Sequence, residues 1–127
     1  MAIKRISPQE AQQLVEQGWT YVDVRSEPEF QGGRPKGSAN VPFMNAGPGG
    51  MTPNPAFLET MKTKFPPGSK IVLGCLGGNR SMKAAQAMEG AGWGDLVEQR
   101  AGWGGAKDAT GQVVEPGWQA AGLPTEK

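Results

Sequence analysis

Histidine is absent from the 127 residues, and cysteine occurs once, at position 75. The first absence excludes histidine-based acid–base catalysis and every metal site that needs imidazole. A single cysteine excludes an intramolecular disulfide, a Cys-x-x-Cys redox pair and a cysteine-rich zinc site. Cys75 is the only strong nucleophile that remains, and we expect neither a metal nor a cofactor.

Charge of one sign and long apolar runs are also scarce. Lysine and arginine total 13, and aspartate and glutamate total 12, so the formal net charge is +1. This balance gives no basic excess of the kind that nucleic-acid binding requires. No apolar stretch approaches the about 18 residues of a membrane helix, and the first residues carry no apolar signal-peptide core. We therefore expect a cytoplasmic protein with neither a nucleic-acid nor a membrane partner.

Glycine and proline are abundant, with 20 and 11 residues. They separate apolar segments instead of forming one biased run, so we expect a folded chain. Because the chain is shorter than the about 150 residues typical of a domain, residues 1–127 are predicted to form one domain. Its last part, residues 101–127, is rich in glycine and contains Trp103 and Trp118.

Helix and strand signals alternate along the chain. Ser7 and Glu10 form a Ser-x-x-Glu capping box, which predicts a helix that ends near Gly18. Apolar and β-branched segments predict strands at 19–24, 39–41, 71–73 and 95–98. Capping residues and periodicity predict further helices at 27–31 and 81–89, and one that begins at Asn54. Residues 47–50 are interpreted as a flexible loop, and a short helix is expected near the C-terminus. The alternation predicts an α/β fold with a mostly parallel central sheet and helices on both faces.

Cys75 lies just beyond the predicted strand 71–73 and a few residues before a helix. Ligands of open α/β sheets bind at this edge, and a helix N-terminus favours an anion. Gly77 and Gly78 allow the backbone to form a cradle of N–H groups, and Arg80 adds a positive charge. Cys75 is therefore predicted to be substantially ionised at neutral pH. The alternative for a lone cysteine is a small buried core residue.

The segment Cys75-x-x-Gly78-x-Arg80-Ser81 resembles the active-site loop of rhodanese-like sulfurtransferases. The resemblance extends over most of the chain through four further elements: Asp23-Val24-Arg25 with Glu29-Phe30, residues 33–42, Ala101-Gly102-Trp103 and Gly122-Leu123-Pro124. They are similar to the family's Asp-x-Arg and Glu-aromatic element, its Gly-His-Ile-Pro-Gly-Ala-x-Asn-x-Pro stretch, its Gly-Gly-aromatic turn and its usual ending. In this order and spacing they indicate a single rhodanese-like domain.

The resemblance implies a persulfide mechanism. The Cys75 thiolate would attack the outer sulfur of a small anionic donor such as thiosulfate, and a thiol or cyanide would remove that sulfur. The resemblance also implies the residues that bind the anion, namely the loop residues Leu76, Gly77, Gly78, Asn79 and Arg80. Three residues are expected to support the loop. Asp23 would brace it or merely cap a turn, Arg25 would form an ion pair with Glu29, and Trp103 would form a pocket wall.

Several departures from the family pattern bear on activity. Arg34 stands where the family has histidine, and Ala101 replaces the first glycine of the turn. Leu76 and Asn79 leave Arg80 as the only loop cation, which weakens the argument for thiosulfate as the donor. Residues 104–114 exceed the expected length and are predicted to form a lip near the site.

Other functions remain open on the sequence. The same Cys75 would serve a sulfur carrier or interaction module that receives persulfide from a partner protein and turns over small donors poorly. Leu76 favours this alternative. A phosphatase-like enzyme is disfavoured, because the four residues between Cys75 and Arg80 make a loop one residue shorter than that of the related phosphatases. A catalytically silent interaction domain conflicts with an intact cysteine, glycine pair and arginine.

Overall fold

The computed structural model describes residues 3–127. In this part of the chain the helices are α1 (Pro8–Glu16), α2 (Glu27–Gln31), α3 (Phe57–Lys64) and α4 (Asn79–Gly90). The strands are β1 (Lys4–Ile6), β2 (Thr20–Asp23), β3 (Arg34–Pro35), β4 (Ala39–Asn40), β5 (Met44–Gly47), β6 (Gly50–Pro53), β7 (Ile71–Gly74), β8 (Leu96–Gln99), β9 (Ala106–Lys107), β10 (Val113–Glu115) and β11 (Thr125–Glu126).

Five strands form the central sheet, in the order β1-β8-β7-β2-β4, and all neighbouring strands are parallel. β7 occupies the middle, where Val72 pairs with Val97 of β8 and with Tyr21 of β2. All four residues of β7 are buried, as expected for a strand covered on both faces. The predicted α/β fold with a mostly parallel sheet is confirmed.

Both faces of the sheet are covered. On one face α3 and α4 pack over the strands, and the apolar side chains buried there include Val22, Val24, Phe57, Met61, Leu73, Ala84 and Met88. On the other face α1 and the C-terminal segment form a second core, which includes Ile6, Ala11, Tyr21, Val97 and Trp118. Burial of these side chains is the main force that holds the helices against the sheet.

The starts predicted for the first helix and for helix 27–31 are correct, whereas those of the two later helices are shifted. The Ser7 hydroxyl accepts the N–H of Glu10, and the Glu10 carboxylate accepts the N–H of Ser7, so the capping box is formed. The helix predicted from Asn54 begins later, at Phe57, because the Asn54 side chain accepts the Ala56 N–H and makes a turn instead. Helix α4 begins at Asn79, two residues before the predicted start.

Some strands were not predicted from the sequence. β1 lies near the N-terminus and pairs with β8 at the edge of the sheet. Residues 47–50, predicted as a flexible loop, form the turn of the β5–β6 hairpin, in which Gly47 pairs with Gly50. The predicted C-terminal helix is wrong, because residues 118–122 form turns and the chain then continues into β11, which pairs with β3. Among residues 3–127 there is no helix with the length and apolar character needed to cross a membrane.

Candidate active site

Cys75 lies at the carboxyl end of the central strand β7, between that strand and α4. Its side chain is 2% exposed and belongs to the core beneath the loop. The thiol therefore faces a largely desolvated environment, in which a few fixed polar contacts determine its charge state.

Gly78 shapes the loop around the thiol. Its φ is +93°, a left-handed conformation that favours glycine, and a Cβ there would overlap the carbonyl oxygen of Arg100. In this conformation the Gly78 N–H donates to the Cys75 Sγ at 3.1 Å. The neighbouring Gly77 does not have a left-handed backbone, so the two glycines of the predicted pair have different roles.

A second turn, residues 101–104, holds the active loop, residues 75–80, from the side. The Trp103 N–H donates to the Cys75 carbonyl at 2.7 Å, and the Gly104 N–H donates to the Leu76 carbonyl at 2.8 Å. Gly102 has a φ of +61°, and a Cβ there would overlap both of these carbonyl oxygens. The second glycine of the Gly-Gly-aromatic turn is thus required by close backbone contact with the active loop, whereas Ala101 fits, fully buried, in place of the first.

The Cys75 Sγ has another polar neighbour, the Ser81 hydroxyl at 3.3 Å. The Ser81 hydroxyl is also hydrogen-bonded to the Glu98 carboxylate, whose other oxygen accepts the Arg5 Nε–H at 2.6 Å. Ser81 and Glu98 are both fully buried. No role for Ser81, Glu98 or Arg5 was predicted from the sequence. A signal was present in β8, where Glu98 shares the inward-facing positions with Leu96 and places a carboxylate at a core position.

Arg80 does not present a free charge to the pocket. Its two terminal nitrogens donate to the two oxygens of Glu29, at 2.7 and 3.0 Å. The same carboxylate accepts hydrogen bonds from the backbone and hydroxyl of Ser26. The Arg80 guanidinium, together with Ser26, lowers the pKa of Glu29 to about 2, so Glu29 is ionised at neutral pH. The expected pairing of Glu29 with Arg25 is replaced by this pair.

Asp23 and Arg25 form a buried pair beside the site. The Arg25 Nε–H donates to the Asp23 carboxylate at 2.9 Å, and another guanidinium nitrogen donates to the Gly33 carbonyl at 2.6 Å. Burial raises the pKa of Asp23 despite these bonds. The guanidinium carbon of Arg25 lies 5.0 Å from the centre of the Trp103 ring. Through the Trp103 ring this cluster contacts the turn that holds Cys75.

An open pocket of about 480 Å³ lies above the thiol. Its walls are the active loop and the segment that follows the Gly102 turn, with the lining residues Cys75, Leu76, Gly77, Asn79, Arg80, Gly104, Gly105, Lys107 and Asp108. The predicted wall residue Trp103 is not among them, because its ring lies against Arg25 and Gly33. Within residues 104–114, β9 and the start of β10 form the hairpin that supplies the predicted lip.

The described part of the chain, residues 3–127, contains no cluster of three or more cysteine, aspartate or glutamate side chains able to hold a metal ion. The site consists of a buried thiol, a backbone N–H donor, a shared hydroxyl and three ion pairs, Arg5–Glu98, Arg25–Asp23 and Arg80–Glu29. It can stabilise negative charge on sulfur by hydrogen bonding. A family model described as "Rhodanese-like domain" matches residues 7–108.

The chain belongs to the rhodanese-like family. This rhodanese-like chain is 40% identical over 116 residues to "Thiosulfate sulfurtransferase 16, chloroplastic" of Arabidopsis thaliana, covering 91% of this chain and 87% of that protein. It is 33% identical over 117 residues to the "Senescence-associated protein DIN1" of Raphanus sativus, covering 92% of this chain but only 57% of that longer protein.

Solved structures agree with the family assignment. The crystal structure of Rv0390 from M. tuberculosis has a TM-score of 0.81 and 27% sequence identity to this rhodanese-like chain, and the match covers 99% of this chain and 98% of the other. The family model shows the rhodanese-like family, and the match to Rv0390 shows that the fold of this chain has a counterpart among solved structures.

Proposed function

We propose that this chain is a sulfurtransferase that carries sulfane sulfur on Cys75. The Cys75 thiolate attacks the outer sulfur of thiosulfate, the S–S bond of thiosulfate breaks, and sulfite leaves with the electron pair. Cyanide or a thiolate then attacks the outer sulfur of the Cys75 persulfide, and the Cys75 thiolate is released. Each half-reaction conserves charge, and neither needs a metal or an external oxidant.

The hydrogen bond from the Gly78 N–H to the Cys75 Sγ is the observation that carries this proposal. It directs a fixed dipole at the sulfur that must be anionic in both half-reactions. The thiol lies beneath a pocket bounded by the active loop, so a donor enters from the loop side. The name of the Arabidopsis relative, a thiosulfate sulfurtransferase, supports the same chemistry.

A second candidate is a sulfur carrier that accepts persulfide from a partner protein. The charge of the pocket favours it, since Glu29 neutralises Arg80 and Asp108 offsets Lys107 among the lining residues. Leu76, 44% exposed, adds an apolar edge to the opening. A small anionic donor therefore meets no net positive charge, whereas a protein-bound persulfide would not depend on one.

Intact mass separates the two candidates. Incubation with thiosulfate should add one sulfur atom, and cyanide should then remove it. Cys75→Ser is the control and should gain nothing, because the sequence contains no other cysteine. No gain with thiosulfate, but a gain from a protein persulfide, would favour the carrier. No gain from either, with Cys75 still alkylated quickly, would refute sulfur carriage.

A further inference from the structure

The Ser81 hydroxyl lies between two potential anions. The Cys75 Sγ is 3.3 Å from the Ser81 Oγ, and the Glu98 carboxylate accepts from the same hydroxyl. All three side chains are buried, with exposed fractions of 2% or less. Water therefore has little access to the contacts between them.

A hydroxyl group has one proton to donate. If that proton points at an ionised Glu98, the Ser81 oxygen turns a lone pair toward Cys75 and can accept a bond from a thiol, but it cannot stabilise a thiolate. If Cys75 is a thiolate, the Ser81 proton must turn to sulfur. Glu98 keeps a hydrogen bond to Ser81 only if its carboxyl group is itself protonated. Cys75 and Glu98 therefore cannot both be ionised while each keeps its hydrogen bond to Ser81.

We propose that Glu98, acting through the Ser81 hydroxyl, is the proton acceptor that ionises Cys75. The S–H bond of Cys75 breaks and its proton passes to the Ser81 oxygen, while the original Ser81 proton passes to Glu98. The electron pair of the S–H bond stays on sulfur, and Glu98 becomes neutral. The inference rests on the proposed function in that Cys75 is the nucleophile.

Charge conservation within the cluster favours this route. Before and after the transfer, the cluster carries one negative charge beside Arg5, which binds Glu98 and also donates to the Gly78 carbonyl at 3.2 Å. Loss of the thiol proton to solvent would instead leave two buried anions on either side of one hydroxyl. Buried like charges disfavour each other strongly. A chain without histidine can therefore form its thiolate by moving a proton internally.

Other charged groups surround the two ends of the relay. Arg100 acts on Glu98 from beyond the end of β8, in addition to Arg5 on β1. Arg80 on α4 and Tyr21 on β2 interact electrostatically with Cys75. Burial raises the pKa of Tyr21, so its hydroxyl stays neutral and does not compete for the proton.

The pH profile of Cys75 alkylation tests the relay. Iodoacetamide is a neutral reagent, so its rate constant follows the thiolate fraction from about pH 5 to about pH 9. In the wild type we expect the rate constant to rise with pH in two steps. While Cys75 and Glu98 share one proton, the rate constant stays at a lower plateau, and it rises again when the cluster loses that proton. Glu98→Gln should give a single step. In Ser81→Ala the rate constant at the lower plateau should fall at least about tenfold, because the thiolate loses its hydroxyl donor.

Glu126→Gln is the matched control, since it also removes a carboxylate paired with an arginine, Arg34, but away from the thiol. It should keep both steps. A wild-type profile that overlays the Glu98→Gln profile would overturn the proposal, as would a Ser81→Ala variant that keeps the lower plateau. Because alkylation uses no sulfur donor, a two-step profile in a chain that takes no sulfur would refute only the proposed function.

A second measurement covers variants that fail to fold. In the lower plateau the wild type should show an infrared band of a protonated carboxyl group that Cys75→Ser lacks. Alkylation of Cys75 should remove the band, because a thioether is no longer anionic and the Ser81 proton returns to an ionised Glu98. Absence of the band in the wild type, or its persistence after alkylation, would overturn the relay.

Discussion

The bidentate pair between Glu29 and Arg80 should reduce the attraction of the pocket for anions. Glu29→Gln removes the negative charge while keeping a side chain of the same shape, which can still accept from Arg80 and Ser26. We expect this variant to favour anionic reagents over neutral ones at Cys75. The pair itself is fixed by two hydrogen bonds of 2.7 and 3.0 Å, so the removed charge has a defined position.

The size of the effect follows from Coulomb's law. An anion held against Arg80 lies on the order of 7 Å from the Glu29 carboxylate, the breadth of one guanidinium group with its contacts. With an effective dielectric constant of about 40 in an open pocket, one charge at that distance contributes about 1.2 kcal/mol, or about sevenfold in rate. Physiological salt, with a Debye length of about 8 Å, reduces this to about 0.5 kcal/mol, or about twofold.

The assay compares two alkylating reagents of similar shape, the anion iodoacetate and the neutral iodoacetamide. The ratio of their rate constants cancels any change in thiolate fraction and reports the potential at the sulfur. Glu27→Gln is the matched control, because Glu27 lies on the same helix and its side chain contacts Gln31, not Arg80. An unchanged ratio in Glu29→Gln, or an equal rise in Glu27→Gln, would refute the reasoning.

Three further predictions concern stability. The pKa of Glu29 is lowered from 4.5 to about 2, so the wild type should lose about 1 to 2 kcal/mol of unfolding free energy, after allowance for partial exposure, as the pH falls from about 5 to about 2. Urea denaturation at each pH should show that Glu29→Gln lacks this loss. Parallel plots of unfolding free energy against pH for the two proteins would contradict the prediction. Gly78→Ala should cost about 2 to 4 kcal/mol in urea and slow thiol alkylation, whereas Gly77→Ala, whose Cβ would lie 3.6 Å from its nearest contact, should change both little. Arg25→Ala should cost about 3 to 5 kcal/mol by thermal denaturation because Asp23 would stay buried without its partner, and a loss below about 1 kcal/mol would argue against that.

Features encoded by neighbouring residues could be predicted from the sequence. The Ser7 and Glu10 capping box needs only residues three apart, and it formed as expected. The position of Cys75 at a strand end also follows from local signals, because a short apolar run and a glycine-rich turn adjoin it. The same signals predict a turn at Gly77 and Gly78, but only the structure shows that a side chain has no room at Gly78.

Contacts between distant residues could not be predicted in this way. Glu29 and Arg80 are 51 residues apart, and Arg5 and Glu98 are 93 residues apart. Their pairing depends on how the strands are ordered in the sheet, which no local pattern specifies. Arg25 and Glu29 are close in sequence and were expected to pair. In the fold Glu29 instead pairs with Arg80, which lies on another helix.

Short strands at the edges were missed for a different reason. β1 has two charged residues and a single buried one, Ile6, so it gives little of the apolar signal that identifies a strand. It forms because the backbone of Lys4 to Ile6 pairs with the edge of β8 that β7 leaves free. The β5–β6 hairpin likewise contains glycines and exposed residues that favour a loop by composition, and its strands are defined by pairing with each other.

The backbone hydrogen bonds from Trp103 and Gly104 to the active loop have an evolutionary consequence. They fix the position of Cys75 relative to the segment that borders the opening of the pocket. The β9–β10 hairpin begins only after these hydrogen bonds, so insertions or deletions within it change the entrance without moving the sulfur. The exposed residues of this hairpin can therefore change in evolution, and with them the molecules that reach Cys75, while the geometry around the sulfur stays the same.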